Sequence, residues 1–440
     1  MRFHYITSRQ KFFKGSAILA VTTVASYALG LLRDRQFAHL FGASHQLDAY
    51  QAAFIIPDLL LNIFVAGGLA AAFIPLLAEI RTHNNDREVS DYINSILNGS
   101  ILVVCAVGLV TFFLAPWIAP LIVRGFPPDV MHQYIVLLRI MLISPIIFAV
   151  SNALGNLLAS QERFFWYGIS AIVYNLGIIL GTWLLFPSLG IYAAGVGVLM
   201  GSLLHLIPRV FGAWRMFSYR PRIMVDQYIR KFIRLMLPKM IGHPVEQITF
   251  LGFTAIASSI GGGAITVLNF ARNFQSAPVA VVGITLSMTL FPIISRSAAA
   301  NNRVEFMKEL LFTVKLTLLI LIPSAILMYV IREPLIRILL GGGAFDETAV
   351  KATAAALGIF TLAIPTESLS HLFARAFYAL KNSIIPVFVS IGGLFLSIAV
   401  GYVLSRSMGV RGLALGFFIG SVVKVALLAI LLRRAPFGSA

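Results

Sequence analysis

Apolar positions in this chain come in long, nearly unbroken blocks, without the period of two that marks a half-buried strand or the three-to-four spacing of a surface helix. A window of about 19 residues finds twelve such blocks, centred near Val24, Phe64, Val104, Phe148, Gly177, Val198, Thr249, Gly283, Leu318, Thr361, Leu394 and Phe418. As helices, blocks of this length cross roughly 30 Å of hydrocarbon, and those running well past about 25 residues must tilt or kink. The pattern predicts an all-α polytopic membrane protein with twelve transmembrane helices. The longest polar gap, Pro208 to Arg230, carries Arg209, Arg215, Arg220 and Arg222 and reads as a linker. It divides the chain into an N-lobe over 1–218, holding spans one to six, and a C-lobe over 219–440, holding spans seven to twelve.

The halves resemble each other. Gly190, Gly197, Gly201 and Ser202 in the sixth span recur at the same spacing as Gly409, Gly416, Gly420 and Ser421 in the twelfth. Pro145 precedes Ala159 in the fourth span as Pro365 precedes Ala379 in the tenth, and both correspondences keep an offset of about 220 residues. A short amphipathic piece precedes each proline, Pro120 to Arg124 in one half and Pro334 to Arg337 in the other. An even number of spans per half implies parallel repeats related by an axis along the membrane normal. The expected architecture is two pseudo-symmetric six-helix lobes around a central cleft.

Composition agrees: 59% of residues are hydrophobic and only 12% charged, against about 25% charged in soluble domains. The net charge of +17 is not a nucleic-acid footprint, because the Lys and Arg residues gather between spans, where they report topology. The side holding both termini collects most of them, which predicts cytoplasmic ends; the segment around Arg332 and Arg337 is the exception. Cys105, the only cysteine, lies in an apolar block, so no disulfide framework is possible. The basic N-terminus leads into an apolar stretch too long for a signal peptide and reads as a retained first span.

Ionisable groups inside spans cost at least about 2.5 to 3.5 kcal/mol each and normally face protein or a hydrated cavity. Two polar stripes stand out. In the seventh span Lys239, His243 and Gln247 follow at i, i+4 and i+8 beside Glu246; in the tenth, Glu367, His371 and Arg375 do the same just after Pro365. Either the stripes line a hydrated cleft, or each is an internally paired network, Lys239 with Glu246 and Glu367 with His371. Asp58 and Asn62 follow Pro57, Arg272, Asn273 and Gln275 precede Pro278, and Arg33, Asp34 and Arg35 close the first span, as cavity groups or interfacial anchors.

Signatures of catalysis are weak. No HExxH spacing or tight histidine cluster points to a metal site. The glycine runs 261–263 and 341–343 lack the Lys-Ser/Thr of a phosphate loop and read as turns, and Ser421 to Lys424 matches only a bare SxxK pattern. No catalytic residue is assigned, and the chain reads as a transporter.

The stretches Leu29 to Asp34, Phe41-Gly-Ala, Asp48 to Phe54, Pro57 to Leu60 and Ala72 to Glu79 resemble the opening of the MurJ/MviN family, within the MOP exporter superfamily. The likeness continues at Leu138 to Met141, Arg163-Phe164, Pro238 with Gly242 and Gln247, Gly283 to Pro292, and Arg375 to Leu380. The resemblance implies a MATE-like fold in the bacterial inner membrane and a flippase for lipid II, the polyprenyl-diphosphate-linked peptidoglycan precursor. It implies alternating access from the cytoplasmic to the outer leaflet. Departures accompany it. The family usually has fourteen spans, so this reads as a twelve-span member lacking the last two helices, the pair linked to the lipid-tail groove. Tyr27, Leu61, Asn62 and Asn273 stand where the family places basic residues, leaving Arg33 with Arg272 one position early, and Lys239 as a further cation. The eleventh span lacks an Asn or Asp for a family-type sodium site.

The substrate-binding set expected from both lines is Arg33, Asp48, Asp58, Asn62, Lys239, Glu246, Gln247, Arg272, Asn273, Glu367, His371 and Arg375. The cations would attract the diphosphate, and Asp48, Asp58, Glu246 and Glu367 would hold them or couple the cycle to H+ or Na+ entry. No cofactor is expected. Expected partners are the lipid-linked oligosaccharide, membrane lipid and cell-wall synthesis proteins, with no nucleic acid. The alternatives are a proton- or cation-coupled exporter of another amphiphile, a drug or other lipid-linked oligosaccharide, and a transport-inactive scaffold.

Overall fold

The computed structural model describes residues 2–63, 69–83, 86–214, 216–242 and 245–435, with side chains described within 17–63, 73–82, 87–214, 216–237 and 245–435. Among the described residues the regular structure is helical, with only one isolated β-bridge, Gly342 to Phe345. That is the economy hydrocarbon imposes, because a helix satisfies its own backbone groups. Among the described residues nine helical stretches are long and apolar enough to cross a membrane, and the pair Glu347–Phe360 and Ala363–Ala379, bent by 45°, makes a tenth. These coincide with expected spans. The remaining two, centred near Phe64 and Thr249, run through 64–68 and 243–244, outside the described residues.

Contacts group the chain into two compact units. The first comprises Met1–Phe37, Ala49–Leu121 and Pro127–Pro244. It holds most of α1 (Arg2–Phe41) and α2 (His45–Leu61), then α3 (Leu69–His83), α4 (Asp86–Ile122), α5 (Pro128–Met141), α6 (Ser144–Ser160), α7 (Phe164–Leu189), α8 (Tyr192–Ala213) and α9 (Gln227–Gly242). The division falls after Pro244, later than the linker reading placed it, for a physical reason. Ile229 and Phe232 of α9 bury in one core with Phe73, Leu77, Tyr92 and Leu157, and Lys231 bridges Glu79 at 2.7 Å. The linker itself is fastened to α4: Asn94 donates to the Ser218 carbonyl at 2.8 Å, Asn98 to that of Arg220 at 2.8 Å, and the Ser95 hydroxyl accepts from the Met224 N–H at 2.9 Å.

The second unit comprises Ala38–Asp48, Ile122–Phe126 and Val245–Ala440. It holds α10 (Val245–Ala257), α11 (Ala264–Pro278), α12 (Thr285–Ala299), α13 (Arg303–Leu339), α14 (Glu347–Ala379), α15 (Ile384–Met408) and α16 (Val410–Arg434). Leu290, Ile294, Phe306, Leu372, Phe377 and Leu428 form one of its apolar clusters. Pro278 lacks an N–H, and the chain passes from α11 to α12 through a π-helical stretch, Val279–Ile284.

The repeated glycines perform the same task in each unit. Gly190 and Gly409 end α7 and α15 with φ, ψ of 54°, −129° and 57°, −136°, a region closed to side chains. Gly197 and Gly201 of α8 lie against backbone atoms of α7, and Gly416 and Gly420 of α16 against those of α15. Without Cβ atoms the paired helices approach as small residues allow in membranes. A further correspondence follows the fourth and tenth spans, where Glu162 and Lys381 adopt φ of 57° and 58°.

A Cβ at Gly416 would meet the backbone nitrogen of Gly401 at 2.5 Å, whereas one at Gly392 would meet nothing within 4 Å. Gly416→Ala is expected to lower stability by about 1 to 3 kcal/mol, and Gly392→Ala to leave it unchanged or raise it by up to about 1 kcal/mol. Thermal unfolding of the purified variants in detergent checks both.

Candidate functional site

Asp48 begins the construction of the site. Fully buried, it accepts the N–H groups of Gly263 and Thr266 and the Thr266 hydroxyl, each at 2.7 Å. It thereby caps the N-terminus of α11, where the helix dipole favours an anion. Gly263, at φ 84°, makes the turn into the helix. The cap anchors α11, which presents Arg272 and Gln275, one turn apart, on its buried face. Asp48 is thus a structural cap and not a holder of the Arg272 cation.

Arg272 is 8% exposed and is the hub of the second unit. Its Nη2 donates to Glu367 Oε1 at 2.6 Å and to Glu246 Oε1 at 2.5 Å. Nη1 reaches Glu367 Oε2 at 3.1 Å and also Gln275 Oε1, and Gln275 Nε2 donates to Glu367 Oε2 at 2.8 Å. The rings of Phe250 and Phe417 lie 5.1 Å and 5.0 Å from the guanidinium carbon. Three helices converge here: α10 supplies Glu246 from its first turn, α11 supplies Arg272, and α14 supplies Glu367 two residues beyond Pro365. His371 and Lys424 stand close enough to interact electrostatically with Glu246 and Glu367.

Two cations, Arg272 and Lys424, therefore face two anions. Neutrality matters, since removing one partner of a buried pair strands the other. The two carboxylates are not equivalent: the Glu246 side chain is 50% exposed and that of Glu367 10%. The cluster can therefore open at Glu246 while Glu367 keeps its hold.

In the first unit Arg33 donates to Asp34 Oδ1 at 2.8 Å and 3.1 Å and to Asn175 Oδ1 at 3.3 Å. Asn175 in turn donates to the carbonyl and hydroxyl of Ser26 at 3.3 Å and 3.2 Å, joining α7 to α1. Tyr50 and Tyr174 complete its electrostatic surroundings. Asp58 is half-buried, and Asn62 donates to its carbonyl at 2.9 Å.

Of the expected residues, Glu246, Arg272 and Glu367 meet directly, with His371 beside them. Of the pairings in the network alternative, Glu367 with His371 is replaced, since Glu367 binds Arg272 and Gln275; Glu246 binds Arg272, and its pairing with Lys239 falls outside the described residues. Gln247 and Arg375 are half-buried, and Asn273 lies on the exposed face of α11. The Lys239 side chain and His243 lie outside the described residues. Gln275, noted before Pro278 but left out of the substrate-binding set, joins the cluster, as does Lys424, for which an ionisable residue inside the twelfth span was the available signal. Arg209 corrects the linker reading. It lies in α8, 5% exposed, donating to the Ser151 carbonyl at 2.8 Å and Asn152 Oδ1 at 2.7 Å, with Tyr167 stacked at 5.0 Å. Gly155 makes room for it, since a Cβ there would lie 2.6 Å from Arg209 Nη1.

Comparison with known proteins agrees in sequence and in fold. A family profile described as "Lipid II flippase MurJ" matches residues 37–439. The lipid II flippase MurJ of Burkholderia cenocepacia is 26% identical over 433 residues, which cover 95% of this chain and 83% of that protein. The probable lipid II flippase MurJ of Aquifex aeolicus is 28% identical over 414 residues, 93% of this chain and 81% of that one. Among solved structures, a lipid II flippase MurJ in an inward closed conformation superimposes with a TM-score of 0.82 at 26% identity, over 96% of this chain and 88% of the other. An inward-facing MATE-family multidrug resistance transporter of the MOP superfamily gives 0.78 at 13% identity over 94% and 96%, a likeness of fold.

Arg272→Met leaves Glu367 buried without its cation and is expected to cost about 3 to 5 kcal/mol of stability. Adding Glu367→Gln should recover most of that loss. A double-mutant cycle on thermal unfolding measures the coupling, and additive losses would contradict the pairing.

Proposed function

This chain belongs to the MurJ family of lipid II flippases, and we propose that it carries lipid II from the cytoplasmic to the outer leaflet by alternating access, with Arg272 and Arg33 receiving the diphosphate. The family match along nearly the whole chain supports the substrate class. The Arg272 cluster is the single observation that carries the mechanism.

A diphosphate and its sugars cannot cross hydrocarbon, whereas the polyprenyl chain can stay in it, so a carrier needs a cationic site for the head group alone. A bare cation there would be costly whenever the carrier is empty. In the empty carrier Glu246 and Glu367 neutralise Arg272. The diphosphate takes the place of Glu246, the more exposed partner, because a guanidinium fork matches phosphate oxygens as it does a carboxylate. Displaced, Glu246 takes up a proton or a coupling cation; on release of the substrate it gives up that ion and returns to Arg272. Lys424, beside Glu246 and Glu367, supplies further positive charge. Any net positive charge left on the empty site is drawn inward by the membrane potential, worth about 2.3 kcal/mol per charge per 100 mV. The Lys and Arg distribution supports an orientation with both termini cytoplasmic. Cell-wall synthesis proteins supply and consume such a substrate and are the expected partners.

Arg272→Ala and Arg33→Ala are each expected to reduce lipid II flipping in proteoliposomes by about tenfold or more, as lost charge-assisted phosphate contacts would. Unchanged flipping in both variants would overturn these roles. In cells depleted of their own lipid II flippase, the unaltered chain should restore growth and Arg272→Ala should not.

Orientation has its own check, in a Cys105→Ala background. An impermeant maleimide should label Ser188→Cys in intact cells, and Ser218→Cys only after permeabilisation.

A further inference from the structure

The hydrocarbon part of α13 is defined by its charges: residues 316–331, between Lys315 and Arg332, carry none. At 1.5 Å per residue they span about 24 Å, so Arg332 stands where hydrocarbon gives way to head groups, on the outer side in the proposed orientation. Just inside that level a groove of about 330 Å³ opens between α13 and α14. Ile322, Ala325, Ile326 and Tyr329 line it from α13, and Leu362 and Pro365 from α14, beside the 45° bend. The one further polar group, the Thr361 hydroxyl, is already committed to the Gly358 carbonyl at 2.8 Å.

The mouth of the groove is cationic. The Arg332 guanidinium turns back over Tyr329, 4.1 Å from the ring centroid, and donates to the Tyr329 carbonyl at 2.5 Å. Gly358 makes this possible, since a Cβ there would lie 3.0 Å from Arg332 Cδ. One turn on, Arg337 is bound by Glu333 at 2.9 Å and Glu347 at 2.8 Å. Arg332 has no carboxylate within 4.0 Å among the described residues. A snorkelling arginine extends toward water; this one is folded over an apolar slot, and among the described residues its five donors meet one protein acceptor, the Tyr329 carbonyl.

We infer that this groove is a second substrate site, which holds the chain of a polyprenyl diphosphate in the outer leaflet with its phosphate on Arg332. The inference rests on the proposed transport of a lipid-linked diphosphate and adds to it an exit step. Charge complementarity selects an anionic lipid. The volume, at the bottom of the roughly 300 to 1,000 Å³ range of ligand pockets, takes a stretch of one hydrocarbon chain, and the charge at its mouth favours the diphosphate. Because α14 also carries Glu367 on its buried side, one bent helix would contact both the departing lipid and the head-group cluster.

The test uses the purified full chain in phosphatidylcholine nanodiscs and a polyprenyl diphosphate bearing a diazirine in its chain, with cross-linked peptides read by mass spectrometry. Labelling of α13 and α14 is expected to fall about tenfold in Leu362→Trp, which fills the groove. Arg332→Gln should lower it similarly for the diphosphate but not for the matching diazirine polyprenol. Excess unlabelled polyprenyl diphosphate should compete, and phosphatidylglycerol should not. Equal competition by phosphatidylglycerol would make this a general lipid groove and overturn the inference. So would wild-type labelling in both variants with unchanged melting temperatures. The proposed function fails separately: a chain that labels here but flips no lipid II defeats that reading alone, and one that flips lipid II without labelling here defeats this inference alone.

Discussion

A charge in hydrocarbon must be paired or wetted, and the second unit is arranged around that constraint. Arg272 cannot stand bare among apolar helices, so three helices bring it Glu246, Glu367 and Gln275, with two aromatic rings nearby. Such pairs add little stability over an apolar core, because desolvation offsets most of the attraction. In the proposed transport cycle they add a site that is neutral when empty and cationic when one carboxylate leaves. Glu246, the more exposed anion, sits in the first turn of α10, and Glu367 is fixed in the interior of α14.

Much of the architecture was legible because hydrocarbon demands long apolar blocks and close helix pairing demands glycine. The offset between Gly197 and Gly416, and between Gly190 and Gly409, survives as matching packing and matching backbone angles. The division between units was less legible. The linker's arginines suggested a boundary near 218, yet composition cannot reveal that Ile229 and Phe232 pack on Phe73 or that α4 offers Asn94, Ser95 and Asn98 to the linker backbone. Arg209 was misread for the same reason: its burial depends on the room left by Gly155, a residue of another helix.

The site was half legible. Spacing along one helix found Glu367 with His371, but the pairing that matters joins Arg272 to Glu246 across 26 residues and to Glu367 across 95. Periodicity says which residues share a face and nothing about which faces meet. Asp48 shows the same limit from the other side. An acid inside a family-like motif read as a substrate or counter-ion group, and it is a helix cap 215 residues away from the amide it satisfies.

The register of Arg272 gives the substitutions in this chain a physical sense. The resemblance implies a family arginine at the position of Asn273, and one residue on an α-helix is a rotation of about 100°. Asn273 lies on the exposed face of α11, while Arg272 is turned toward α10 and α14. An arginine at 273 would project from that exposed face, whereas one at 272 is delivered into carboxylates that also fix its orientation. The shift therefore exchanges an open cation for one held in check. It makes Glu246 and Glu367 as necessary to the site as the arginine, because without them the buried guanidinium would keep Gln275 but no counter-charge.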